Sequence, residues 1–248
     1  MADELLKPEP LLDAEDPVQI LVLGIKGEEL KNVQAALRLP TGLVRDGKVD
    51  RQWLERFKNQ IPEKVRLALE PFGYYHVKTE VNLERVDEEK YKIHVEIEPG
   101  KPVRVTSVNV SIKGPGAEEK TLKRLLQAFP LKKGDVLHHQ KYEEAKGTLR
   151  TEALNLGYLD ADYPIHRIRV SQSEYSAEIE LTLETGPRYY FGEILLEGAP
   201  EYPKRFLMRY VAFQFGEAFS YLKIFQTQIN LNNSDRFSEV ILLAEREV

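Results

Sequence analysis

The residues able to do chemistry are few in this chain of 248 residues, which has 5 histidines and no cysteine. His138, His139, Glu143 and Glu144 come nearest to a metal-ligand set. His139 and Glu143 lie four apart, share one face if the segment is helical, and pair an imidazole with a carboxylate as zinc sites do. No third or fourth ligand accompanies them, and Gly134-Asp135 just before them reads as a turn leading into a polar helix start. His94 sits between Ile93 and Val95, on the polar face of an alternating strand, which predicts a solvated ring. His76 and His166 fall in expected strands with no acid at a catalytic spacing. Gly114-Pro115-Gly116 precedes a helix but lacks the Lys-Ser/Thr of a phosphate-binding loop and the pattern of a dinucleotide fingerprint. No Gly-x-Ser-x-Gly occurs, so no nucleophile elbow is supported. Glu118-Glu119 and Asp87-Glu88-Glu89 read as solvated helix starts and turns, without the burial that tunes a carboxylate for acid–base work. The residues predict no enzyme, no metal and no cofactor.

Composition narrows the remaining classes. Lys plus Arg number 35 and Asp plus Glu 40, a net charge of −5. This balance argues against bulk nucleic-acid binding, which needs a basic surface to displace counterions. Without cysteine there is no disulfide scaffold, thiol catalysis or thiolate metal site. No run of about 18 apolar residues is present to form a spanning helix. The opening MADELLKPEPLLDAEDP is acidic and broken by proline, unlike a signal peptide. Either a cytosolic protein or a chain whose export signal has been removed is expected.

Landmarks recur along the chain. Phe72-Gly73-Tyr74-Tyr75 and Leu156-Gly157-Tyr158-Leu159 each close a helical stretch, and their glycines are 84 residues apart. Glu98-Pro99-Gly100-Lys101-Pro102 and Glu184-Thr185-Gly186-Pro187-Arg188 follow strands, with glycines 86 apart. Two independent landmarks at nearly one period predict a duplicated unit. In the first unit Val18 to Gly24 reads as a strand, and Leu30, Val33 and Leu37 as a helix. Trp53, Phe57 and Ile61 mark a second helical region, with a fresh start permitted at Pro62 and the stripe continuing through Val65, Leu69 and Phe72. Val77, Thr79, Val81 and Leu83 alternate, as do Tyr91, Ile93, Val95 and Ile97. The order is β-α-α-β-β.

The second unit repeats it. Val103 to Ile112 is a strand whose alternation changes parity near Thr106-Ser107. Leu122 to Phe129 and Tyr142 to Leu156 are helices, and Tyr163 to Val170 and Ile179 to Leu183 are strands. The third unit reads as a strand over Tyr189 to Leu196, a helix from near Pro203, a helix marked by Tyr221, Phe225 and Ile229, and a strand over Phe237 to Leu243. It stops one strand short, which predicts a chain cut from a longer protein. The expected divisions are a tail over 1–16 and modules over 17–100, 101–186 and 187–248. Pro99, Gly100, Pro102, Gly186 and Pro187 form short joints that restrict how adjacent modules swing. The aromatics of Arg188-Tyr189-Tyr190-Phe191 and of Phe213 to Phe225 are expected in core and interdomain packing, or else on a hydrophobic surface beside a barrel or membrane. Lys204, Arg205 and Arg209 are expected on a solvated helix face.

This order, with its Phe-Gly-Tyr-Tyr helix end and Gly-Pro joints, resembles the POTRA (polypeptide-transport-associated) domain from Pro17 onward. It is most similar to the arms of TamA-type proteins, relatives of the outer-membrane assembly factor BamA. Leu69 to Tyr75, Ala153 to Tyr158, Gly186 to Gly192 and Arg236 to Val240 carry the likeness, although Asp235-Arg236 replace the family's usual Gly-aromatic pair. The resemblance implies three tandem α+β modules, each a three-stranded mixed sheet of order 1-3-2 covered by two helices. It implies a periplasmic arm in a Gram-negative-type cell, followed by a C-terminal transmembrane β-barrel. It also implies an inner-membrane-anchored TamB-like partner, unfolded outer-membrane protein clients and no nucleic acid. A two-partner-secretion transporter arm is the alternative within the fold, and a cytosolic α+β enzyme the alternative outside it.

With strand order 1-3-2, the first and second strands of each module are edges, and an incoming extended chain can pair with an edge by β-augmentation. The candidate edge is the second strand of the first module, Val77, Lys78, Thr79, Glu80, Val81, Asn82 and Leu83. The alternative is the first strand, at Val18, Ile20 and Val22. In the second module Pro164 removes a donor from the corresponding strand and protects that edge.

Overall fold

Alternating burial turns the apolar residues of three runs to one side of a sheet. The structure, a computed structural model, describes residues 9–10, 16–45, 47–88 and 90–245. Most of the tail over 1–16 and Glu89 thus lie outside the described residues. Strand β1 is Glu9–Pro10, β2 Val18–Leu23, β5 Lys78–Arg85 and β6 Tyr91–Glu98, in the sheet order β1-β2-β6-β5. β6 runs parallel to β2 and antiparallel to β5. Val18, Ile20 and Val22 of β2 and Ile93, Val95 and Ile97 of β6 are buried under two helices. Helix α1 (Gly27–Ala36) contributes Val33, while α2 (Arg51–Leu69) contributes the stripe Leu54, Phe57, Ile61, Val65 and Leu69. Asp50 caps α2, its carboxylate accepting from the Trp53 N–H at 3.0 Å. The Asn32 side-chain amide donates to the Ala68 carbonyl at 2.7 Å and ties the helices together.

Two details differ from the sequence expectation. Helix α2 runs unbroken through Pro62 instead of restarting there. Proline removes one helical hydrogen bond, but the buried stripe continues on both sides of it, and that packing holds the axis. A small hairpin, β3 (Val44–Arg45) with β4 (Lys48–Val49), precedes α2. Its signal is the Asp-Gly dipeptide at 46–47, with Gly47 at φ +76°.

The second module repeats the order. β7 (Arg104–Lys113), β8 (Asp162–Ser171) and β9 (Ser176–Glu184) form a sheet of order β7-β9-β8. Thr106 bonds the Ala177 carbonyl and Ser111 meets Thr182, each pair 71 residues apart, the constant offset of parallel strands. Arg169 faces Glu178 and Arg167 faces Glu180, the crossing register of an antiparallel pair. Burial along β7 changes parity between Val105 and Val108, as the sequence predicts. Helices α3 (Lys120–Gln127) and α4 (His139–Asn155) complete the module. The order 1-3-2, with the last strand central, thus holds in both modules; in the first it is extended by β1.

Residues 187–245 hold α5 (Lys204–Leu207), a 3-10 turn at Met208–Tyr210, and α6 (Tyr221–Asn232). No strand forms over 189–196 or 237–243 beyond a single bridge between Tyr190 and Ala218. The topology supplies the reason. In the first two modules the first and second strands pair only through the third, and among the described residues no third strand stands beside these two runs. The burial of α6 is also rotated from expectation. Thr227 and Leu231 are buried, whereas Tyr221 and Phe225 are 53% and 62% exposed. Thr227 sets this phase, because its hydroxyl accepts from the Ala212 N–H (2.9 Å) and donates to the Lys223 carbonyl (2.8 Å).

The chain gathers into two compact units. One holds the residues up to Val108 with Leu131–Tyr142 and Ile168–Glu178; the other holds Asn109–Pro130, Glu143–Arg167 and the residues from Ile179 onward. Among the described residues no helix is long and apolar enough to cross a membrane.

Candidate interaction edge and module joints

Strand β5 forms one end of its sheet, and each of its residues pairs on one side only. Lys78, Glu80 and Asn82 are exposed, while Thr79, Val81 and Leu83 turn toward the helices; Val77 immediately precedes the strand. Two hydrogen bonds fix which main-chain groups face outward. The Val86 N–H donates to the Lys90 carbonyl at 2.9 Å, and the Tyr91 N–H to the Pro17 carbonyl at 2.8 Å. Main-chain groups of successive residues point to alternate sides of a strand. Even-numbered residues of β5 therefore bond β6. The N–H and C=O groups of Thr79, Val81 and Leu83 point away from it, where no described strand lies. By the same alternation the groups of Val18, Ile20 and Val22 point away from β6, and β1 lies on that side, pairing Glu9 with Val22 and Pro10 with Leu21. In the second module Pro164 lies within the edge strand β8.

The joints repeat at atomic detail. In the first unit the Val103 N–H donates to the Gly73 carbonyl (2.8 Å), the Leu137 N–H to the Val103 carbonyl (2.9 Å), and the Val105 N–H to the Asp135 carbonyl (2.9 Å). In the second unit the Tyr189 N–H donates to the Gly157 carbonyl (2.8 Å), Phe219 to Tyr189 (3.0 Å) and Phe191 to Glu217 (2.8 Å). Gly73 and Gly157 have φ of +84° and +93°. A Cβ would lie 2.7 Å from the Leu137 carbonyl oxygen at the first and 2.9 Å from that of Tyr189 at the second. Both the left-handed conformation and the close approach of a following backbone demand glycine. Pro99, Gly100 and Pro102 lie between β6 and β7, and Gly186 and Pro187 follow β9. The groups that hold each joint, however, lie at the helix ends, which sequence reasoning read only as punctuation.

Side chains around the joints explain most of the chemical candidates. The Phe72 and His138 rings meet edge-on at 5.0 Å, and Tyr75 Oη shares a hydrogen bond of 2.9 Å with His139 Nε2. Burial, with the Glu70 charge adding to it, pushes the Tyr75 phenol up to about 12. His138 Nε2 lies 3.6 Å from the Glu28 carboxylate, and Glu143 pairs with Lys146 at 2.6 Å. The two histidines thus turn to different partners. Among the described residues no group of three or more acidic or histidine side chains is placed to hold a metal ion. His76 meets the Gln172 carbonyl at 3.2 Å and His166 that of Tyr163 at 2.9 Å. His94, expected to be simply solvated, bonds Glu84 at 3.1 Å.

Glu119 differs from its expectation as a solvated helix start. It accepts from Tyr158 Oη at 3.1 Å and from Arg188 at 3.0 Å, and the same guanidinium donates to the Leu156 carbonyl at 2.8 Å. The Tyr158 phenol is raised by burial and by this acceptor. The Gly-Pro-Gly loop packs on Thr185: a Cβ at Gly116 would lie 2.7 Å from the Thr185 methyl, and the Gly116 N–H donates to its hydroxyl at 3.1 Å. The aromatic cluster divides. Phe191 is buried and stacks on Phe213 at 3.8 Å, whereas Phe215 is exposed. Lys204, Arg205 and Arg209 are exposed. Asp235 adopts φ +53°, the left-handed conformation that few residues other than glycine, asparagine and aspartate take.

Two segments of the chain match known domain families. Residues 19–99 match the family described as POTRA domain TamA domain 1, and residues 104–184 match the POTRA family described as surface antigen variable number repeat. Among solved structures the chain is similar to POTRA3-5 of Haemophilus influenzae BamA, at 16% identity over 88% of this chain and 85% of that one, with a TM-score of 0.46. It is also similar to the N-terminal domain of Omp85 from Thermosynechococcus elongatus, at 14% identity over 91% and 88%, with a TM-score of 0.32. The first module is therefore similar to a TamA-type first POTRA domain and the second to a POTRA repeat.

Proposed function

We propose that this chain is a non-enzymatic periplasmic docking arm of a TamA-type outer-membrane protein, and that it takes partner polypeptide as an added strand along β5. The observation that carries this reading is the outward row of main-chain groups at Thr79, Val81 and Leu83, on an edge with no described neighbour. Main-chain pairing reads little sequence, which suits a surface that receives varied extended chains. The TamA-type match over residues 19–99 contains this edge, and the partner proposed there is an inner-membrane-anchored TamB-like protein. Unfolded outer-membrane clients are further ligands of the same chemistry. Residues 187–248 supply the start of a third module that leads toward the barrel.

Proline at Thr79 or Val81 tests the reading. Either substitution removes an outward donor and leaves the bonds to β6 in place. The expected result is an unchanged circular dichroism spectrum with capture of a purified TamB-like partner lost. A folded variant that captures the partner as well as the parent removes β5 from the mechanism.

A further inference from the structure

The turn that joins β8 to β9 holds a backbone conformation that its sequence does not favour. Tyr175 adopts φ +54°, in the left-handed region, where an aromatic residue is an outlier and a hairpin turn ordinarily uses glycine or asparagine. Its side chain leaves the turn and reaches the first joint. The Tyr175 and His76 rings meet at 5.4 Å, tilted by 60°, and the Lys101 ammonium lies 4.7 Å from the centre of the Tyr175 ring, within cation–π range. The His76 imidazole donates to the Gln172 carbonyl of the same turn at 3.2 Å, across 96 residues of sequence. The Tyr175 carbonyl accepts from the Arg104 N–H at 2.9 Å. Gly100, at φ +74°, packs on this corner too, where an added Cβ would lie 3.0 Å from the His76 carbonyl oxygen. All of these residues belong to one compact unit.

We propose that Tyr175 is a releasable brace of the first joint. Its ring, clasped by His76 and Lys101, ties the corner after the Phe72-Gly73-Tyr74-Tyr75 helix end and the β6–β7 linker to the β8–β9 turn. The strain separates this device from a turn built for its own stability, which would carry glycine at this φ. Tyrosine costs free energy there, and its side-chain contacts with His76 and Lys101, which offset that cost, lie across the joint. Because the strain opposes docking, the brace holds by a narrow margin, and the turn relaxes when the ring leaves. The second joint is held differently, by the Arg188 guanidinium on Glu119 and on the Leu156 carbonyl, so release at Tyr175 frees the first joint alone. The brace does not depend on the periplasmic reading or on β5.

The chain has no cysteine, so two introduced cysteines carry spin labels without background. Labels at the exposed positions Gln60→Cys and Lys133→Cys report on the first joint of the full chain by double electron–electron resonance. The expected result is the same narrow distance distribution for the labelled parent and for Tyr175→Phe, and one at least twice as wide for Tyr175→Gly, with an unchanged circular dichroism spectrum. Glycine relieves the strain, so a purely local role for Tyr175 predicts no widening. His76→Ala combined with Lys101→Ala is expected to widen the distribution to the same extent while leaving the turn sequence intact, which decides the matter if glycine disturbs the hairpin. A folded Tyr175→Gly chain as narrow as the parent, a widening in Tyr175→Phe equal to that in Tyr175→Gly, or a double alanine variant that stays narrow would overturn the proposal.

Discussion

At the residue scale, two glycines of one sequence have opposite futures on substitution. Gly73 has φ +84° and faces the Leu137 carbonyl, whereas Gly147 lies inside α4 with nothing within 4 Å of an added Cβ. Gly73→Ala is expected to destabilise by more than about 2 kcal/mol, since alanine is strained at positive φ and its methyl displaces a backbone. Gly147→Ala is expected to stabilise by about 0.5–1 kcal/mol through helix propensity. Urea denaturation of both variants checks the signs. Tyr75 gives a pH test. Its folded value of about 12 lies above the ordinary tyrosine value of 10.0, so the folded state binds the phenolic proton more tightly. The associated stability is fully present below pH 10 and is lost as pH rises through the window to about 12. Tyr75→Phe should flatten that part of the decline, measured as the difference between the two stability–pH curves; identical slopes between pH 10 and 12 would contradict the assigned burial.

At the element scale, the ladder between β5 and β6 contains one rung of like charge. Lys78 faces Glu98 and Glu84 faces Lys92, but Glu80 faces Glu96. Glu80→Lys is expected to stabilise by about 0.5 kcal/mol, because opposite charges directly across an antiparallel pair attract; a loss of stability would mean the register is shifted. The two strands and their inward faces were legible in the sequence, since Tyr91, Ile93, Val95 and Ile97 alternate without a break and the facing run does the same, but the pairing register came only with the fold. The long helices were legible too, because stripes such as Leu54, Phe57, Ile61, Val65 and Leu69 show the helical period. What escaped sequence reading was set by contacts across the chain. The run through Pro62 depends on packing that a local proline rule ignores. The rotation of α6 depends on the Thr227 hydroxyl finding the Ala212 N–H. The missing ladder over 189–196 and 237–243 depends on a pairing partner, which strand propensity does not register. The role of Glu119 needed Arg188 and Tyr158, brought to it from 69 and 39 residues away.

At the scale of the whole molecule, the same joint is built twice from the same parts. A helix-end glycine, the first residue of the following extended run and a short segment after the next helix bond in identical order at 73, 103 and 137 and at 157, 189 and 219. If β5 receives a partner strand as proposed, its edge stands open until that strand fills it. Residue-resolved hydrogen exchange measures this directly. In the free chain the amides of Thr79, Val81 and Leu83 should exchange fast while those of Glu80 and Asn82 exchange slowly. On adding a TamB-like partner the first group should become protected and the second should not change. Slow exchange of all five amides in the free chain, or a bound complex that leaves Thr79, Val81 and Leu83 fast, would contradict the account.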